Sequence, residues 1–166
     1  MKKLIATLAM VFLFVGGAIA QDVKVALIYS QEVVVLMSEY KEMQQKVTDL
    51  QEVHRKDLQQ MEEEFKKKYA DFTAEQETLT ENIKTRKMAE LQDLDTRLQN
   101  AFQVAQEDIE KQSQELYMGV MDKLRAAIKA VGDEKGYTYI VDAGSLLYIG
   151  KNMEDATPAV KAKLGL

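Results

Sequence analysis

One histidine, no cysteine and an excess of carboxylates bound the chemistry open to this chain. A metal or an acid–base role for His54 would need partner groups, yet its helical surroundings offer Arg55 and Asp57, and no thiolate exists anywhere. His54 therefore reads as a polar residue on a coiled-coil seam, where it discourages other registers. Gly144 and the run Gly150-Lys151-Asn152 come near a phosphate-binding loop. They are one residue too far apart, lack the following Ser or Thr, and stand in a strand-rich segment rather than between a strand and a helix. Glu62-Glu63-Glu64 and the other carboxylate pairs belong to a heavily charged face that water solvates. Asp142, beside Gly144, has the type and position of an Asx-turn residue. No catalytic residue, metal ligand or cofactor-binding residue emerges, and no nucleophile stands beside a base. The reading is not an enzyme, and it needs no cofactor.

The segment that must carry most of these residues is a long helical arm. Between Gly17 and Gly119 there is neither glycine nor proline, and the only proline is Pro158. Apolar residues recur at three–four spacing: Leu36, Tyr40, Met43, Val47 and Leu50, then Leu58, Met61, Phe65, Tyr69 and Phe72. His54 separates the two runs by steps of four and four, a stutter that locally unwinds a supercoil. A second series runs Leu91, Leu94, Leu98, Phe102, Ala105, Ile109, Gln112, Leu116, Val120 and Leu124. Thr73, Thr78, Thr80, Asn82 and Thr85 are the poorest helix formers of the arm, and Thr73-x-x-Gln76 and Thr78-x-x-Glu81 have the form of capping boxes. The expectation is an antiparallel hairpin over residues 38–131 with its tip near 76–84.

The arm interrupts a small β-rich body at residues 21–37 and 132–166. Val23–Tyr29 suits a buried strand, and Ser30 and Ser38 are expected helix caps. Tyr137–Val141 and Leu146–Ile149, joined at Asp142–Ser145, predict a β-hairpin. Thr157 and Pro158 open a short final helix, as its N-cap and first residue. The fold class expected is mainly α with a small β base: a long helical hairpin inserted in a small oligomerisation body. A body this small buries little surface, and its free strand edges invite a second subunit. Val25, Leu27, Ile140, Val141, Leu147 and Tyr148 are the candidate contacts.

Residues 1–20 have the three parts of a secretory signal peptide: Lys2 and Lys3, an apolar run from Leu4 to Val15, and the small residues Ala18 and Ala20 before Gln21. The apolar run is shorter than the roughly 20 residues that span a membrane. Cleavage before Gln21 removes two of 22 basic residues, leaving 20 against 27 acidic ones, a net charge of −7. No basic nucleic-acid-binding surface is indicated. With 30% charged residues and no Trp, a thin solvated rod is expected rather than one large core.

Strand, helical hairpin, the block Tyr139-Ile140-Val141-Asp142-Ala143-Gly144 with Leu146-Leu147-Tyr148, and the closing Asp155-Ala156-Thr157-Pro158 together resemble the Skp (OmpH-like) family of periplasmic chaperones. Met37–Lys41 resembles the family's N-terminal segment, with Ser38 where members often have proline. The resemblance implies a homotrimer whose three bases join and whose arms surround a cavity. It also implies that the cavity holds unfolded outer-membrane proteins without a nucleotide. Well-known members are basic with positive arm tips, whereas this chain is acidic; Lys66, Lys67, Lys68, Lys84, Arg86 and Lys87 are its candidates for a local positive zone. Contact with lipid or lipopolysaccharide is left open. A non-enzymatic coiled-coil spacer or adaptor of the cell envelope is the alternative function.

Met61, Phe65, Tyr69, Phe72, Met88, Phe102, Met118 and Met121 either fill the seam or face outward. Of these, Met61, Phe65, Phe72, Met88 and Phe102 are the candidates for adaptable contact with a client.

Overall fold

The computed structural model describes residues 23–166, so the expected signal segment, with Ala18, Ala20 and Gln21, lies outside the described residues. The elements are β1 (Val25–Ile28), α1 (Ser30–Val34), α2 (Ser38–Glu75), α3 (Glu81–Lys135), β2 (Tyr139–Asp142), a 3-10 turn (Ala143–Ser145), β3 (Glu154–Asp155) and α4 (Thr157–Leu164). The long hairpin is as expected. At 1.5 Å per residue, α2 is about 57 Å long and α3 about 82 Å. The excess length of α3 carries its C-terminal turns past the start of α2 and into the body.

The hairpin turns at residues 76–80. Neither capping box forms. Thr73 donates its hydroxyl to Tyr69 O (2.8 Å) and Thr78 to Glu75 O (2.9 Å), so both satisfy carbonyls behind them. Thr80 precedes α3 in extended backbone without a side-chain cap bond. Ser30 and Ser38 are likewise first helical residues rather than caps. Short hydroxyl side chains serve a helix end in either direction, and the sequence pattern does not distinguish the two.

The three strands order as β2-β1-β3, with both pairings parallel. Val25 faces Tyr139 and Ile28 faces Asp142 on one side, while Ala26 faces Glu154 and Leu27 faces Asp155 on the other. The central position explains why β1 is almost wholly apolar and buried. The expected β-hairpin is corrected. Asp142 takes the Asx role, accepting from Gly144 N (2.8 Å), and Ser145 Oγ donates back to Asp142 O (2.7 Å). That local bonding winds a 3-10 turn instead of a tight reversal, so Leu146–Ile149 does not fold back as a strand. The second neighbour of β1 comes from Glu154–Asp155, two polar residues with no strand signature.

The core sits where α3 crosses the sheet. Val120, Leu124, Ala127 and Val131 form one stripe of α3 and bury against Ile28, Val33, Val34, Met37 and Val160. α3 stops at Gly136, whose φ of 67° is the left-handed conformation that favours glycine at a helix end. Thr157 does not cap α4 but accepts a bond from Tyr29 N (3.0 Å), fastening α4 to the end of β1. Its own N–H donates to Asp155 Oδ1 (2.8 Å).

Candidate functional site

The arms are joined by a semi-apolar seam and by side-chain bridges across it. Leu94 and Ala105 are buried, while Leu58, Met61, Phe65, Phe72, Leu91, Leu98 and Ile109 are half-buried. Full burial is rare because two helices alone cover only one stripe of each other. His54 is where the seam reading places it, half-buried, with its Nε2 2.9 Å from Asp108 Oδ2 on α3. Beside it the small side chain of Ala105 leaves a groove of about 700 Å³. Leu58, Leu98, Phe102 and Ile109 form its apolar walls, and glutamines rim it.

The five arm candidates separate into two sets. Met61, Phe65 and Phe72 lie along the seam, half-buried, with Phe65 stacked on Tyr69 at 6.2 Å between ring centres. Met88 and Phe102 are more than half exposed, as are Tyr69 and Met118. Val53 and Val104, both more than half exposed, fall outside the heptad pattern. Their signal was their position off the seam on an otherwise polar face. Together these side chains make the arm surface far less uniformly polar than a simple spacer rod requires.

The expected positive zone at the tip is largely neutralised. Lys66 pairs with Glu62 (3.3 Å), Lys84 with Glu81 (2.9 Å), Lys87 with Glu75 (2.8 Å), and Lys68 with Glu90. The Lys68 hydrogen bond holds the Glu90 carboxyl below its ordinary range and raises Lys68 in turn. Four of the six tip cations are thus matched by carboxylates, two of them across the hairpin.

In the body the expected contact residues fall into inner and outer groups. Leu27 is buried within the chain, and Val25, Ile140 and Val141 are half-buried. Ile140 packs on the core beside Gly132. Leu147 and Tyr148 are fully and 83% exposed, on an extended segment with no strand partner among the described residues. No group of three His, Asp or Glu stands together as a metal site among the described residues. No described helix is long and apolar enough to cross a membrane.

The geometry can be set beside known proteins. A family profile, outer membrane protein (OmpH-like), matches residues 24–164. The chain belongs to the OmpH-like family. A comparison with curated proteins finds no match. A crystal structure of an OmpH-like protein from Caulobacter crescentus CB15, described as an outer membrane chaperone, has the same fold. It aligns with a TM-score of 0.76 at 19% identity, covering 84% of this chain and 82% of the other. The OmpH-like match therefore extends over body and arm together. For this OmpH-like chain the candidate surface is distributed: exposed apolar side chains along the arms and one apolar segment on the body.

Proposed function

We propose that this OmpH-like protein is an ATP-independent periplasmic holdase, exported by a cleaved signal peptide, that binds unfolded outer-membrane proteins between its arms. The observation that carries the reading is the set of exposed apolar and aromatic side chains, Tyr69, Met88, Phe102, Val104 and Met118, spread along arms anchored at one end. An unfolded outer-membrane protein presents many apolar side chains in no fixed order. Contacts with it must be numerous, weak and tolerant, each worth about 1 kcal/mol on a partly wet surface. Flexible methionines and flat aromatics suit such contacts, and the carboxylates around them keep the rods dissolved.

The assembly proposed is a homotrimer formed through the body, the number three coming from the family resemblance. Leu147 and Tyr148 support a subunit interface there, since a small domain seldom leaves two adjacent large apolar side chains in water. The β2 and β3 edges, each lacking an outer neighbour among the described residues, offer backbone pairing beside them.

The test is to mix the purified mature protein with an unfolded β-barrel client. Suppressed aggregation and a discrete complex mass, both unaffected by ATP, are the expected results. A protein that leaves aggregation unchanged yet binds a folded envelope component through a few residues would establish the spacer or adaptor instead.

A further inference from the structure

Bridges between α2 and α3 stand at three levels of the arm. Glu39–Lys123 is at the base, Lys68–Glu90 and Glu75–Lys87 are near the tip, and His54–Asp108 is between them. The base and tip bridges join lysine to glutamate, side-chain types that keep their charges through neutral pH. The middle one joins the chain's only histidine to a carboxylate. It is half-buried, with side chains 23% and 38% exposed, and it borders the groove beside Ala105.

We propose that His54 is a pH-responsive pin at mid-arm. Protonated, the imidazole donates to Asp108 as a charge-assisted pair and draws α2 and α3 together at the level of the groove. Neutral, it offers only an ordinary hydrogen bond, and the helices part more often there. The proton is taken from solvent, and no covalent change is involved.

The charged surroundings leave His54 as the responding group. Arg55 beside it is bridged to Glu52 on the same helix (3.8 Å), Asp57 lies one turn on, and Glu62 stands at the far end of the groove. On α3, Glu107, Glu110 and Lys111 flank Asp108, with Lys111 turned toward Glu115 (4.0 Å). Carboxylates, guanidinium and ammonium are side-chain types that hold their charge between about pH 5.5 and 8, where imidazole does not. The pin leaves the base and the tip unaffected, because their bridges join lysine to glutamate, side-chain types that keep their charges in that window.

Amide hydrogen exchange of the mature protein, corrected for intrinsic rates, reads this by segment from about pH 5.5 to 8. Protection of residues 47–58 and 102–112 is expected to fall roughly two- to fivefold on going to pH 8, the range for a partly exposed ion pair. The base and tip should not change. His54→Gln and, separately, Asp108→Asn should flatten the mid-arm profile, with circular dichroism showing the helices intact. A flat profile in the unaltered protein, or the same fall in both variants, would overturn the pin.

Discussion

Tyr137 shows how one side chain can tie three segments of the body. Its hydroxyl donates to Glu154 of β3, its ring lies 4.6 Å from Lys24 Nζ before β1, and Lys24 also bridges Glu154 (3.6 Å). Lys24 reaches on to Lys135 O (3.3 Å), one of the carbonyls left free at the end of α3. Partial burial, then the bond to Glu154, pushes the Tyr137 phenol up to about 12 from its ordinary 10.0. The folded state therefore holds this proton more tightly than the unfolded chain. The contribution to stability is complete below about pH 10 and is lost as pH rises through about 12. Melting temperature measured across that interval should fall more steeply for the native protein than for Tyr137→Phe. Equal slopes would mean that the phenol is not engaged. On the acid side the same hydrogen bond lowers the Glu154 carboxyl below its ordinary value. That stabilisation is lost as pH falls through the lowered value, and Tyr137→Phe should weaken this limb too.

Helix interiors and helix ends use glycine differently, and α3 contains both cases. Gly119 lies in mid-helix with nothing within 4 Å of the point where a Cβ would stand, so within the chain its lack of a side chain serves no contact. Gly119→Ala should stabilise the arm by about 0.5–1 kcal/mol, read from thermal unfolding. Gly136, at φ 67°, should respond oppositely, with alanine there costing about 1–2 kcal/mol. A destabilised Gly119→Ala would point to a second helix packed closely on this face in the proposed trimer. The hairpin itself is tested by spin labels at positions 65 and 102. Antiparallel arms place them about 10–20 Å apart, against about 55 Å in one continuous helix.

For the whole molecule, assembly and client holding should separate by location. Leu147→Asp, on the exposed segment, is expected to reduce the solution mass to that of one chain while helicity persists. Ile140 is a poorer probe, because it packs on its own core and a charge there would damage the body as well. Unchanged mass in Leu147→Asp would place the interface elsewhere. In the arms no single substitution should abolish client protection. Changing the exposed Met88, Phe102 and Met118 to alanine, singly and then together, should weaken it by degrees, measured by light scattering of an aggregating client. One arm residue that eliminated protection with the helices intact would point to a discrete docking site.

The arm was legible because its determinants are local: an unbroken run of helix formers, a three–four apolar seam, and weak helix formers gathered at residues 76–85. The position of His54 on the seam followed from the same spacing. The signal-like N-terminus and the acidic balance are likewise properties of the linear chain. The sheet was different. β1 recruits β2 across the entire arm and β3 from two acidic residues, and no local pattern reports a parallel partner so distant in sequence. The apolar run at Leu146–Ile149 has the signature of a strand, yet the Asp142 turn directs it outward. Tertiary packing alone decided that Leu27 is buried in the chain's own core while Leu147 and Tyr148 remain outside. It also decided that His54 meets Asp108 and that the tip lysines meet carboxylates, since such pairs depend on the register of two helices. Spacing along one arm of a hairpin sets which face a residue occupies; only the second arm determines what it faces.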